Sequence, residues 1–342
     1  VIARLALKAL LTVLFLGLAL APFLFAGTGA IDIAGRICIF IVLAASYDML
    51  LGYTGIVSFA HTLFFGLGAY GVAIALVRLG PHWGAVLLGA GVGVMMAVVI
   101  AAIISLLSLR VRAIFFSMIT LAVASVAQVL AAEFRDTTGG EDGLTFAVPD
   151  LLNPAFTLVA GTHLTGRVMT YYLIFALSLA LFLLMRRIVH SPFGRVLQAI
   201  RENEFRAEAL GYRTVTYRSL ASALSAGIAA LAGAMMALAL RYNGPEATLS
   251  FALMVDILLM VVIGGMGTLY GAAIGAVIIT LARSYLRPLM AALAAPFAGL
   301  PVLPALFNPD RWLLWLGLLF VLIVYFFPGG IVGKLREWGR RS

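Results

Sequence analysis

The sequence predicts an all-α integral membrane protein of about ten transmembrane helices, within a range of about eight to eleven, with both termini cytoplasmic. Three observations predict it. Of 342 residues, 63% are hydrophobic and 11% charged, with a mean hydropathy of +1.12, against about 45–50% and about 25% in soluble domains. The apolar residues form long continuous runs rather than the alternating pattern of a membrane β-barrel. The basic residues collect between particular runs, as the positive-inside rule requires. A soluble globular enzyme and a disordered chain are both excluded, and no stretch is left for a separate soluble domain, so residues 1–342 read as one transmembrane domain.

The first element follows Arg4 and Lys8 and is apolar through Ala26. Ala19-Leu20-Ala21 imitates a signal cleavage site, but Pro22 directly after it opposes cleavage, so the segment is expected to stay as a first helix. Because the chain starts at Val1 rather than Met, residues before it are expected. Apolar runs between turn-forming residues then give spans at about 6–26, 32–51, 56–78, 84–109, 113–133, 169–189, 219–240, 251–265, 268–287 and 311–327. Gly264-Gly265-Met266-Gly267 separates the eighth from the ninth, a pattern that one broken or re-entrant segment would also give.

With the N-terminus inside, Arg4, Lys8, Arg110, Arg112, the seven arginines of 186–218 and the four basic residues of 334–341 lie in the cytoplasm. Arg36, Arg78, Arg135, Arg167, Arg241, Arg283, Arg287 and Arg311 fall outside or near outer helix ends, so the majority obeys the rule. The net charge of +9 thus points to membrane lipid and cytoplasmic partners and not to nucleic acid, for which no basic, aromatic-interleaved motif exists.

Two connections exceed a simple turn. The outer loop, 134–168, carries Thr137-Thr138-Gly139-Gly140-Glu141-Asp142-Gly143-Leu144 and further acidic residues. The cytoplasmic segment, 190–218, starts at Ser191-Pro192. It places Val196, Leu197, Ile200, Ala207 and Leu210 at helical spacing, fills other faces with charge, and stops at Gly211. One short amphipathic helix is expected over 195–210.

The chemistry-bearing residues are sparse. No P-loop exists, because neither Lys8 nor Lys334 has the glycine spacing or the following hydroxyl, so any ATP and Mg are held by other subunits and this chain has no cofactor. His61, His82, His163 and His190 are scattered, and Cys38 is the single cysteine, so neither a metal site nor an enzyme is expected. Asp48 and Asp256 lie within spans, where ionisable groups point to function or to a paired structural role. Gly52 and Gly55 flank polar groups at the junction of two apolar runs, leaving Tyr53, Ser58 and His61 on either a short inner turn or a broken helix. Gly66, Gly68 and Gly71, Gly89, Gly91 and Gly93, and Gly267, Gly271 and Gly275 offer close backbone approach. Glycine-rich helices in both halves, with Ser-Phe-Ala at 58–60 and 250–252, fit an internal repeat, although so short a match arises by chance.

From about residue 40 to 333 the chain resembles the LivM-type permeases of ATP-binding-cassette importers for branched-chain amino acids and related small solutes. The resemblance rests on Gly52-Tyr53-Thr54-Gly55 with Ser58, His61, Phe64-Phe65-Gly66 and Gly68-Ala69-Tyr70, and on Thr138-Gly139-Gly140 with Asp142-Gly143-Leu144. It includes Ser191-Pro192-Phe193-Gly194-Arg195 running into Ala199-Ile200-Arg201-Glu202-Asn203-Glu204 and Ala207-Glu208-Ala209-Leu210-Gly211. It continues through Leu258 to Leu269 with Gly271, and ends at Phe327-Pro328-Gly329-Gly330-Ile331.

The resemblance implies a permease in the bacterial inner membrane. Its partners would be a second homologous permease, two ATPases and a periplasmic solute-binding protein. Arg201, Glu202, Asn203, Glu204, Ala207 and Gly211 would couple to the ATPases, while Gly139, Gly140, Glu141 and Asp142 would face the binding protein. Asp48, Tyr53, Ser58, His61 and Asp256 are candidates for the translocation pathway. Ile56, Ala60 and Asp48 depart from similar sequences, which often carry Gln, Gly and Asn there, and the proline-rich 288–310 is longer than expected. Urea, amides and aromatic carboxylates therefore stand beside branched-chain amino acids as solutes. The competing reading is an ion-coupled secondary transporter using Asp48 and Asp256.

Overall fold

A computed structural model describes residues 2–24, 27–107, 113–153, 165–294, 309–327 and 329–334. Its helices are α1 (Ile2–Leu24), α2 (Thr28–Thr54), α3 (His61–Leu79), α4 (Trp83–Leu107), α5 (Ala113–Glu133), α6 (Arg135–Thr138), α7 (Gly166–Val189), α8 (Pro192–Glu202), α9 (Glu204–Ala209), α10 (Thr214–Leu240), α11 (Pro245–Thr248), α12 (Phe251–Gly264), α13 (Leu269–Ala294) and α14 (Trp312–Phe326). Among the described residues nine segments are long and apolar enough to cross a membrane, and α1 adds a shorter apolar stretch at Ala9–Leu24. This is the all-α multi-pass architecture the sequence predicts. Arg110, Arg112, residues 154–164, the proline-rich 295–308 and the basic residues after Lys334 lie outside the described residues.

The centre is built from α2, α3 and α10, the most buried spans, while α4, α5 and α14 expose most of their apolar surface, as lipid-facing helices do. α10 packs on α2, α3 and α4; α2 packs also on α7 and α13; α12 packs on α13. Missing side chains make these approaches possible. A Cβ on Gly68 would overlap the Ala230 carbonyl, one on Gly233 the Phe65 carbonyl, and one on Gly271 the Gly264 carbonyl. Most of the glycines read from sequence therefore pack helix on helix, but Gly91 has open space around it, Gly66 abuts the Leu249 side chain, and Gly267 lies in the turn before α13 rather than on its face.

Several boundaries differ from the sequence reading for identifiable reasons. α2 ends at Thr54 and α3 starts only at His61, so residues 55–60 form an inner turn and not a broken helix. α12 and α13 are separate helices joined by a turn in which Gly267 has φ +78°. α13 continues to Ala294 with Pro288 inside it, beyond the expected end at residue 287. In the outer loop a two-residue strand, β1 (Leu144–Thr145), pairs antiparallel with β2 (Tyr242–Asn243). No alternating pattern announces so short a pairing.

Candidate functional site

The end of the bundle that carries residues 190–218, termed inner here, gathers most of the sequence-predicted residues. The expected single helix over 195–210 is in fact two. Asn203, with φ −159° and ψ 99°, ends α8 and caps α9, its side chain accepting the Arg206 N–H at 2.9 Å. Asn is a strong N-cap and competes with helix continuation, so it divides the segment. Ser191 caps α8, with Pro192 in its first turn.

The break redistributes the apolar face. Leu197, Ile200 and Ala207 are buried against the bundle as their spacing predicts, but Leu210 is 72% exposed. Phe205, absent from the periodic pattern, is 83% exposed. α9 is tied back to α10 by Arg218, which pairs with Glu204 at 2.5 Å, and by Thr214, whose hydroxyl donates to Glu208 at 2.7 Å. Glu202 is exposed. The segment is thus anchored on one side and presents carboxylate and apolar groups on the other.

One long-range hydrogen bond joins this segment to the bundle, and a second, beside it, joins two parts of the bundle to each other. The Arg201 guanidinium donates to the Gly52 carbonyl at the end of α2. The Gly267 N–H donates to Asp48 Oδ1 at 2.7 Å. Gly52 lies between these groups, for a Cβ there would meet both Asp48 Oδ1 and the Gly267 backbone. Gly52, Tyr53, Gln198, Arg201, Glu202 and Gly267 line a polar cavity of about 490 Å³. The second Asp48 oxygen is buried without a hydrogen-bond partner.

The other pathway candidates have the following surroundings. His61 is fully buried, its Nε2 lying 2.9 Å from Ser46 Oγ. Since the Ser46 hydroxyl donates to the Leu43 carbonyl, Nε2 is the donor to Ser46, and the buried Nδ1 is left without a partner. Ser58 accepts the Ala60 N–H at 3.3 Å within the inner turn. Asp256 forms an ion pair with Arg283 of α13 at 2.8 Å, and that arginine also lies over the Trp312 ring. Tyr53 lines the inner cavity.

At the opposite, outer end, Glu141 and Asp142 are exposed on a short 3-10 turn and Gly140 is buried beneath them. Thr138 closes α6 by donating to the Ala131 and Phe134 carbonyls. The β1–β2 pairing anchors this loop to the segment after α10. Exposed Phe205 and the contacts of Gly52 and Gly267 were not legible from sequence. The break at Asn203 was not legible either: Asn is a strong N-cap, but Arg206 three residues on does not complete a capping box, and the apolar spacing runs through it.

The sequence profile of the branched-chain amino acid transport system / permease component family matches residues 29–325. The high-affinity branched-chain amino acid transport system permease protein LivM of Escherichia coli K12 is 27% identical over 82% of this chain and 69% of its own length. The probable branched-chain amino acid transport permease protein LivM of Methanocaldococcus jannaschii is 27% identical over 86% of this chain and 90% of its own. The permease protein LivH of Escherichia coli K12 is 27% identical over 71% and 80%. No solved structure shows significant similarity. With this match spanning most of a multi-pass membrane chain, the protein belongs to the branched-chain amino acid transport system permease family and is a transport component rather than an enzyme.

Proposed function

We propose that this chain is a permease subunit of an ATP-binding-cassette importer in a bacterial inner membrane, moving branched-chain or similar hydrophobic amino acids. ATP and Mg are bound by two partner ATPases, and a solute-binding protein delivers cargo at the outer face around Glu141 and Asp142. Similarity to both LivM and LivH of one organism supports pairing with a second homologous permease.

The observation that carries this reading is the anchored inner segment. α8 and α9 bury Leu197, Ile200 and Ala207 in the bundle while Phe205 and Leu210 project, 83% and 72% exposed. A soluble face with two bare apolar side chains is a surface for a partner. Arg201 then passes movement of the segment to α2 through the Gly52 carbonyl. Asp48 and Asp256 each have a protein partner, which leaves the ion-coupled reading with less support.

Phe205→Asp and Glu202→Ala in the complete transporter test the assignment. Both should sharply reduce solute-dependent ATPase stimulation without changing the binding protein's affinity for its solute. Unaltered coupling in both variants removes 190–218 from the ATPase interface.

A further inference from the structure

Three of the arginines that break the positive-inside pattern converge at the outer end. Arg36, Arg167 and Arg241, from α2, α7 and the end of α10, line a cavity of about 200 Å³ together with Asp32, Thr170 and Tyr171. Two of these arginines occupy places that disfavour them. Arg36 lies eight residues into α2, about 12 Å along the helix, where its exposed side chain keeps the charge at the cavity mouth. Arg167 sits in the first turn of α7, the positive end of the helix dipole. Arg241 is, among the described residues, the one non-glycine with positive φ, at +56°.

Among the described residues these charges are not balanced. Among the described residues lining the cavity Asp32 is the one carboxylate, 3.7 Å from Arg167 Nε in a half-exposed pair of the kind that contributes little. Arg241 reaches the Leu152 carbonyl with Nη2 at 3.5 Å, while its buried Nε has no partner. Burial, followed by the neighbouring Arg167 charge, pulls the Arg241 pKa below its ordinary value, with Asp32 opposing. An anion in the cavity would offset two uncompensated charges. Ile31, Ile174 and Leu240 supply an apolar wall beside these groups.

We propose that this cavity binds a small aliphatic amino acid, its carboxylate on Arg36 and Arg241, its ammonium toward Asp32 and its side chain on the apolar wall. The choice of an amino acid over another carboxylate rests on the importer reading above, whereas carboxylate binding does not.

Saturation-transfer NMR on the isolated full-length permease in nanodiscs tests the proposal without ATPases or a binding protein. The probes are L-leucine, 4-methylpentanoate, which lacks the ammonium, and L-leucinamide, which lacks the carboxylate. Leucine and 4-methylpentanoate should give signals and leucinamide none. Arg36→Gln and Arg241→Gln should weaken both by about tenfold or more, the loss of one charge-assisted hydrogen bond. Arg36→Lys, keeping the charge, should restore part of the binding and control for misfolding. Asp32→Asn should weaken leucine and spare 4-methylpentanoate. Equal signals from leucine and leucinamide, or signals unchanged in both glutamine variants, overturn the site. Arginine variants that lower only the affinity for a solute-binding protein, with no leucine signal in the unaltered chain, also overturn it. Failure of ATP-driven uptake with the NMR result intact would sink the importer reading alone.

Discussion

Asp48 of α2 accepts the Gly267 N–H at 2.7 Å across 219 residues of chain, fixing the turn between α12 and α13 to the inner end of the central helix. On the neighbouring carbonyl, Gly52 receives Arg201 from the inner segment. Three parts of the bundle therefore meet at one point, and displacement of α8 reaches both α2 and the α12–α13 turn.

Asp48→Asn keeps an oxygen acceptor for Gly267, whereas Asp48→Ala leaves that N–H unsatisfied, at a cost of about 1–3 kcal/mol. The alanine variant should unfold at lower temperature than the asparagine variant. Cys38, the single thiol and buried, reports this directly through the temperature at which a thiol-reactive dye labels it.

Gly52→Ala should damage the protein far more than Gly91→Ala. The first methyl would enter space held by Asp48 Oδ1 and the Gly267 backbone; the second meets nothing within 4 Å. In an exposed helix interior, glycine to alanine gains about 1 kcal/mol in propensity, so Gly91→Ala should be neutral or stabilising in the same thiol assay.

The Asp256–Arg283 pair is asymmetric, with the carboxylate side chain 6% exposed and the guanidinium 39%. Arg283→Met strands a buried charge, which costs about 3–5 kcal/mol when a buried pair is broken. Asp256→Asn leaves an arginine that still rests on Trp312 and is itself only partly buried. Arg283→Met should therefore be the more destabilising, and Asp256→Asn added to it should restore much of the loss, as a double-mutant cycle measures.

Asn203→Ala removes the cap of α9 and should cost about 1 kcal/mol locally. Gly211, at φ +88° with free space around it, should resist alanine for backbone reasons alone, at about 1–2 kcal/mol. Both variants should speed proteolysis within 203–213 while leaving Cys38 labelling unchanged, because the bundle core is untouched.

How legible the protein was in its sequence follows from what each signal encodes. Apolar runs report desolvation, so spans such as 113–133 and 166–189 were found nearly to the residue. Helix ends past the apolar core were not, since α2 and α10 each extend by polar turns held by tertiary packing rather than by hydropathy. The segment 190–218 was legible as amphipathic, but its division at Asn203 reverses the exposure of Leu210, because one extended residue resets the helical phase. Asp48 and Asp256 could be singled out as buried charge; their partners, Gly267 and Arg283, are set by which helices pack together. The same holds for the outer arginines, exceptions to a charge rule until three of them share a cavity.

The central claim is that separate ATPases drive transport through this chain. Uptake of radiolabelled leucine into proteoliposomes holding the complete transporter, with ATP inside and proton and sodium gradients collapsed, tests it most directly. Uptake should persist under those conditions and stop when ATP is withheld. Gradient-driven uptake by this chain alone, lost in Asp48→Asn, would contradict the account.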